Sequence, residues 1–343
     1  MDFASERRHA GDLAQLFELR ELRFSGGRAE GTRGILVSND AGMEAVLLPD
    51  RCLDLFSLKY NGRNLGYLTP AGIVHPAYWD RSGKNWLKTY SGGFFATCGL
   101  SNIGSPCADG GEELSLHGEL AHTPAEQVCA RVIREDGVPA AEISGVMRVA
   151  SLFGGHLTLA RTVQIKYHEN RVRVTDVITN EGGERAPYMT LYHFNMGWPL
   201  LSEKARMQIS SRRITPRTPH AAAHLAQVFT LTAPAEPYEE MCYYHELERG
   251  ADGFAAVGVE NPVSGLAARI RFDASVLDHF VQWKMLGTGD YALGLEPCNA
   301  TIDGRADARQ NGSLKFLDSG QSVTHRLEVT VGPSLAAIAD SIR

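Results

Sequence analysis

The sequence predicts an all-β protein, a large antiparallel β-sandwich with few short helices. Three observations carry that prediction. Apolar residues alternate with polar ones at period two through most of the chain, turn-forming Asn, Asp and Gly separate these runs at short intervals, and helical spacing surfaces only near the two ends. The 343 residues hold 35 glycines and 15 prolines, scattered among apolar runs and not gathered in a linker. One extended domain over residues 1–343 is therefore expected. With 43% apolar and 22% charged residues, the composition is that of an ordinary globular protein and excludes disorder as the main state.

In chain order, Leu13, Leu16 and Phe17 recur at helical spacing after polar residues, so residues 1–20 read as a peripheral helical N-terminal segment. Period-two strands follow at 34–38, 45–48 and 53–60, with Asn39-Asp40-Ala41-Gly42 and Asn61-Gly62 supplying turn chemistry. This is an antiparallel meander. From about Thr69 to Tyr90 the periodicity gives way to a segment rich in Pro, Gly, His and Trp, longer than most connections in compact domains and of the kind that carries function. Strands resume at 128–133, 142–150, 156–167, 171–179 and 188–193, and again at 254–259, 266–272, 280–285, 291–295, 314–317 and 323–331. So many short strands, each offering alternate residues to one side, need two packed sheets.

Charge and motifs exclude several function classes. Lys and Arg number 34 against 40 Asp and Glu, a net charge of -6 with no basic stripe, so neither nucleic acid nor an anionic membrane is expected as partner. No stretch approaches the roughly 20 apolar residues of a membrane helix. The N-terminus, Met1 to Arg8, shows no apolar core of a signal peptide, and the cytoplasm is the expected compartment. Cys52, Cys98, Cys107, Cys129, Cys242 and Cys298 are irregularly spaced without a C-x-x-C pair, so they are expected as thiols, most of them small core residues. Phosphate-binding G-x-x-x-x-G-K-S/T, dinucleotide-binding G-x-G-x-x-G and nucleophile-elbow G-x-S-x-G motifs are absent. Twelve histidines show no metal-ligand spacing apart from His220 and His224, which read as a surface turn or short helix; no metal and no organic cofactor is expected.

Three segments each place a proton-handling residue where an apolar strand runs out: Leu116-His117-Gly118, Leu191-Tyr192-His193-Phe194-Asn195, and Leu293-Gly294-Leu295-Glu296-Pro297. Glu296 stands out. A carboxylate that follows Tyr-Ala-Leu-Gly-Leu and is stopped by proline sits at a strand end in a partly desolvated environment, which raises its pKa and suits it to act as a base. The plainer alternatives are that Glu296 pairs with an arginine, His193 is a hydrogen-bonded core histidine, and His117 is a turn residue.

Together the segments resemble the aldose 1-epimerase (galactose mutarotase-like) superfamily, in order and spacing along nearly the whole chain. The resemblance implies a galactose mutarotase-like supersandwich. It also implies roles: His117-Gly118 resembles the substrate-binding His-Gly pair, His193-Phe194-Asn195 the segment bearing the acid histidine, Glu296 the base glutamate, and Gln282 in Val281-Gln282-Trp283 the substrate glutamine. The fit to the DUF4432 group is closer, through Asp50-Arg51-Cys52-Leu53-Asp54-Leu55, Ser91-Gly92-Gly93 and Thr97-Cys98-Gly99-Leu100-Ser101-Asn102. Two departures stand against the better-known mutarotases. Their N-R dipeptide is represented by Asn102-Ile103, and their D-H-N segment by Tyr244-His245-Glu246, which has no aspartate. Arg51 and Lys88 are the candidates to replace the lost cation.

The expected function is therefore an isomerase acting at the anomeric carbon of a sugar or sugar acid. Glu296 would take the O1 proton and His193 deliver one to the ring oxygen, while His117, Gln282, Asn102, Arg51 and Lys88 bind substrate. A pair that must be ionised and protonated together predicts a bell-shaped pH profile, with the acid limb assigned to Glu296 and the alkaline limb to His193. The rival classes are a sugar isomerase or lyase, and a carbohydrate-binding module using Trp79, Trp86, Trp198 and Trp283 as platforms. Assembly as a homodimer stays open.

Overall fold

The computed structural model describes residues 3–341; Met1 and Asp2 of the expected N-terminal segment, with residues 342 and 343, lie outside the described residues. An eight-stranded antiparallel sheet runs in the order Glu126–Glu135, Val138–Ala150, His156–Lys166, Arg171–Asn180, Ser322–Gly332, Leu266–Asp273, Phe254–Asn261 and Arg206–Ile209. A second sheet places Ser211–Pro216, Met241–Leu247, His279–Leu286, Tyr291–Cys298 and Ala186–Met196 side by side, with Phe95–Leu100 and Lys315–Leu317 both pairing Ala186–Met196. The early meander forms a five-stranded sheet from Phe17–Arg23 to Arg63–Asn64. One continuous core joins all three, with Val37 and Leu55 from the meander, Val163, Val174 and Val329 from the large sheet, and Phe194, Phe280 and Leu295 from the site-bearing sheet. Burial of each such side chain contributes roughly 1.5–3 kcal/mol. Among the described residues no helix is long and apolar enough to cross a membrane.

Alternation explains which residues reach that core. Along Arg171–Asn180 every second residue is buried, and Val172, Val174 and Ile178 carry the apolar share of the inward face. Asp176 and Asn180 are the polar residues on that face, and Asp176 is matched. Arg161, itself buried, donates to both Asp176 oxygens at 2.9 and 2.6 Å, to Asp54 at 2.7 Å, to Thr97 Oγ1 at 2.8 Å and to Cys52 O at 3.0 Å. Asp54 also accepts Thr97 N–H and O–H, and Asp176 accepts the Tyr192 hydroxyl. This network ties the meander to both large sheets, and it spares the two buried carboxylates the cost of standing unpaired.

The N-terminal segment is less helical than its spacing suggests. An α-helix covers only Phe3–Arg7 and a 3-10 turn Leu13–Gln15, after which Phe17–Arg23 is a strand paired with Arg33–Asn39. Five residues are too few to hold a helix on propensity, whereas Phe17 gains a ladder and a core position at 1% exposure.

Tyr192, Phe194, Leu293 and Leu295 point into the sandwich core. Their neighbours must therefore point out of it. Cys98, Leu191, Cys242, Val281 and Cys298 form a second buried cluster on that outer face, covered by Trp86, Tyr90, Ile103, Ala121 and Ile302 from the long loops. The candidate site lies under this cover.

Candidate active site

Register brings the two principal residues together. The strands Ala186–Met196 and Tyr291–Cys298 pair Leu191 with Cys298 and Asn195 with Gly294, which sets Glu296 directly across from His193. The row continues through Ala96 beside His193, and through Val281 and Tyr244 beyond Glu296. Cross-strand neighbours on one face are the closest pairs a sheet offers. His193 Nε2 accordingly lies 3.2 Å from Glu296 Oε1.

Both side chains are nearly sealed, His193 at 6% exposure and Glu296 at 1%. Glu296 Oε1 and His193 Nδ1 are nonetheless buried without a hydrogen-bond partner, a condition most buried polar atoms avoid. Burial pushes the Glu296 carboxyl well above the usual carboxylate range, with Glu240 adding to the rise and Arg217 opposing it. Burial also pulls His193 down to about 4. Desolvation thus disfavours a charged pair. Burial favours the neutral form of each group.

Aromatic rings wall the site. Trp283 stands edge-on to His193 at 5.5 Å between ring centroids, Tyr90 lies at 6.0 Å, and His117 at 5.8 Å. Trp86 stacks on Tyr90 at 4.3 Å and leans on His117 at 4.9 Å. The Tyr90 hydroxyl donates to Asn195 Oδ1 at 2.9 Å, fixing the loop to the strand that carries His193. His117 adopts a left-handed backbone, φ 57°. Gly118 follows it because a Cβ there would lie 2.6 Å from Gly99 O and 2.7 Å from Asn102 O. His117 Nδ1 accepts the Gly104 N–H at 3.3 Å, and burial lowers its pKa to about 3. The ring is neutral with its proton on Nε2, a hydrogen-bond donor.

The remaining expected contacts fall elsewhere. Gln282 pairs with Leu295, so it shares the core-facing parity; its amide bonds His245 Nε2 at 3.0 Å and Val228 O at 2.8 Å. Its neighbour Trp283 takes the site-facing position. Asn102 is fully buried, donating to Ser105 O and Ser115 O and accepting Arg305 N–H, so it shapes the His117 loop from within. Arg51 is buried near Tyr90 and donates to Val74 O at 2.8 Å, with desolvation lowering it to about 10. Lys88 is exposed, and its charge acts on Asp80. Of the four tryptophans weighed as platforms, Trp86 and Trp283 face the site, Trp79 stacks on His122, and Trp198 is 70% exposed.

A cavity of about 610 Å³ beside Trp79, Arg305 and Arg309 includes neither His193 nor Glu296; Arg305 and Arg309 are already bound to Asp109, and its third arginine, Arg81, to Glu119. Among the described residues the one group spaced to hold a metal ion, Glu6, Asp40 and His168, belongs to the N-terminal helix and two strand turns and contributes nothing to the His193–Glu296 row. Two participants are not apparent from the sequence motifs. Gly294 leaves the space that Glu296 fills, and its signal was a glycine inside an apolar strand. Arg217, in a turn and ion-paired with Asp303, acts on Glu296 through its charge and had no local signal.

The family model described as "Domain of unknown function (DUF4432)" matches residues 29–331. The chain belongs to the DUF4432 family. No curated protein matches it. Among solved structures it is similar to a candidate aldose 1-epimerase from Klebsiella pneumoniae, with TM-score 0.88 at 24% identity over 94% of this chain and 85% of that one. It is also similar to a galactose mutarotase-like protein from Clostridium acetobutylicum, TM-score 0.66 at 13% identity over 92% and 99%. A galactose 1-epimerase from Lactobacillus acidophilus gives 0.59 at 12% over 92% and 98%. At these identities the likeness establishes the galactose mutarotase-like fold of this DUF4432 protein.

Proposed function

We propose that this DUF4432 protein interconverts the anomers of a free sugar by acid/base ring opening at the anomeric carbon. The observation that carries the reading is the opposition of His193 and Glu296 across one register pair, 3.2 Å apart, both buried and both with an unpartnered polar atom. Ring opening removes the O1 proton and adds one to the ring oxygen, two atoms bonded to the same carbon. A base and an acid this close can serve both. Glu296 accepts from O1–H, His193 donates to the ring oxygen, and His117 Nε2–H orients a hydroxyl. Reversal after rotation of the carbonyl gives the other anomer and restores both groups. Burial favours the neutral form of both groups, so sugar binding must favour the ionised carboxylate and protonated imidazole that the step needs.

Glu296→Gln keeps the shape and removes the base. It is expected to lower kcat by on the order of a hundredfold or more while sugar binding persists. Near-normal anomer exchange by both Glu296→Gln and His193→Asn would reject the assignment and favour a binding role.

A further inference from the structure

The hairpin that joins Val138–Ala150 to His156–Lys166 is a rigid arm with an exposed apolar tip. Its strands pair without interruption from Ala140 with Lys166 to Ala150 with His156, which leaves Ser151, Leu152, Phe153, Gly154 and Gly155 to turn the chain. Leu152 is 84% exposed and Phe153 entirely so. Phe153 also holds a left-handed backbone, φ 61°, although two glycines follow it at once. A bulky side chain rarely adopts that region, whereas glycine, asparagine or aspartate turns a hairpin there at little steric cost. An aromatic ring on a strained backbone and bare to solvent gains nothing from its own fold.

The same hairpin walls the cavity of about 610 Å³. Val149, Ala150, Ser151, Gly155 and Leu157 line it, so the tip begins where the cavity wall ends. Trp79, Leu114 and Pro187 add apolar surface from other segments. Pockets of about 300–1,000 Å³ take whole drug-sized ligands, so this one has room for a phenyl ring and a leucine side chain. Its charges are balanced, with Arg81, Arg305 and Arg309 against Glu112, Glu113 and Glu119. Arg81 pairs with Glu119 at 3.0 Å and Arg305 with Glu112 at 2.5 Å, so an identical patch brought up to this one meets no excess of its own sign. A two-fold interface needs knob and hole on one patch, because each copy must offer both. This hairpin supplies both.

We propose that Leu152 and Phe153 of one copy seat in this cavity of a second copy, and the reverse, in a two-fold homodimer. The cavity is lined by Trp79, which stacks on His122 at 5.2 Å; His122 meets Trp86 edge-on at 5.9 Å, and Trp86 leans on His117 at 4.9 Å. The interface therefore abuts the loops that cover the His193–Glu296 pair, and the proposal stands whether or not that pair acts on a sugar.

The test is sedimentation equilibrium of the whole chain over a range of protein concentrations. The wild type is expected to approach twice the 37.4 kDa of one chain. Phe153→Gly removes the knob and relieves the left-handed backbone, so it should remain folded while its dimer dissociation constant rises at least tenfold. Glu113→Trp fills the cavity from an exposed position and leaves the knob in place; it should weaken the dimer to a similar degree. Should one variant fail to fold, the other decides. Hydrogen exchange compared between dilute and concentrated wild type should show added protection at 149–157 and around Trp79. A wild type that stays at 37.4 kDa, a dimer that persists unweakened in either folded variant, or added protection confined to other segments would overturn the proposal.

Discussion

Gly294→Ala is the smallest change that separates the acid from the base without touching either. A Cβ built on Gly294 lies 2.4 Å from Glu296 Oε1, 3.0 Å from Trp283 Cβ and 3.2 Å from His193 Cε1. Ordinary contact begins at 3.4 Å, so the carboxylate must retreat by about 1 Å. The backbone at Gly294 is not left-handed, so the substitution strains no torsion and acts through this crowding alone. Displacement of a reacting group by about 1 Å costs on the order of a hundredfold in rate, whereas overpacking of a core position costs about 1–3 kcal/mol of stability. Gly294→Ala should therefore remain folded, with a melting temperature lowered by several degrees, and lose on the order of a hundredfold in kcat. Saturation-transfer NMR between the two anomeric proton signals reads that rate directly. A folded Gly294→Ala protein with kcat within threefold of wild type would show that the 3.2 Å contact is not the reacting geometry.

Further outcomes follow from the same residues. Because burial favours the neutral form of both groups, activity should fall at acid pH when His193 takes up a proton, near its lowered value of about 4, and at alkaline pH when Glu296 loses its own, well above the ordinary carboxylate range; a kcat/KM profile checks this. Burial thus reverses the limb assignment that unperturbed groups would give, and an acid limb lost in Glu296→Gln but kept in His193→Asn would contradict it. His117→Ala removes the Nε2–H donor and should raise KM clearly with a smaller effect on kcat; an unchanged KM would remove His117 from the site. Arg161→Ala leaves Asp54 and Asp176 buried without their cation and should cost about 3–5 kcal/mol in urea denaturation, and a loss below 1 kcal/mol would show that the network is not holding the sheets.

Much of the fold was legible because strand period and turn chemistry are local. The alternation in Arg171–Asn180 and the Asn61-Gly62 turn can be read without knowing what they pack against. His193 and Glu296 stand out in the sequence because an ionisable side chain in an apolar run is costly to bury, but the expectation that each ends its strand is corrected: both lie within strands, Ala186–Met196 and Tyr291–Cys298, and His117 lies in a turn. Gln282 was misplaced by parity. A shift of one residue turns a strand side chain to the opposite face, and only the register Gln282 to Leu295 shows that Trp283 holds the outer position. The phase of the N-terminal segment was ambiguous because Leu13, Leu16 and Phe17 fit a helical stripe as well as the start of a strand. Arg217 and Asp303 were not legible at all. They lie 86 positions apart in irregular segments, and nothing in either neighbourhood points to the other. The same holds for Arg161 and Asp54, separated by 107 positions.

The central claim is that the His193–Glu296 pair opens and recloses a sugar ring without altering the sugar's constitution. Its most direct test is a one-pot NMR exchange experiment on a mixture of neutral aldoses at anomeric equilibrium, with and without the wild-type protein. The account predicts accelerated exchange between the α and β signals of at least one sugar, no new resonances, and loss of the acceleration in Glu296→Gln. A new set of resonances, indicating an isomerised or eliminated product, or binding without any acceleration, would contradict it.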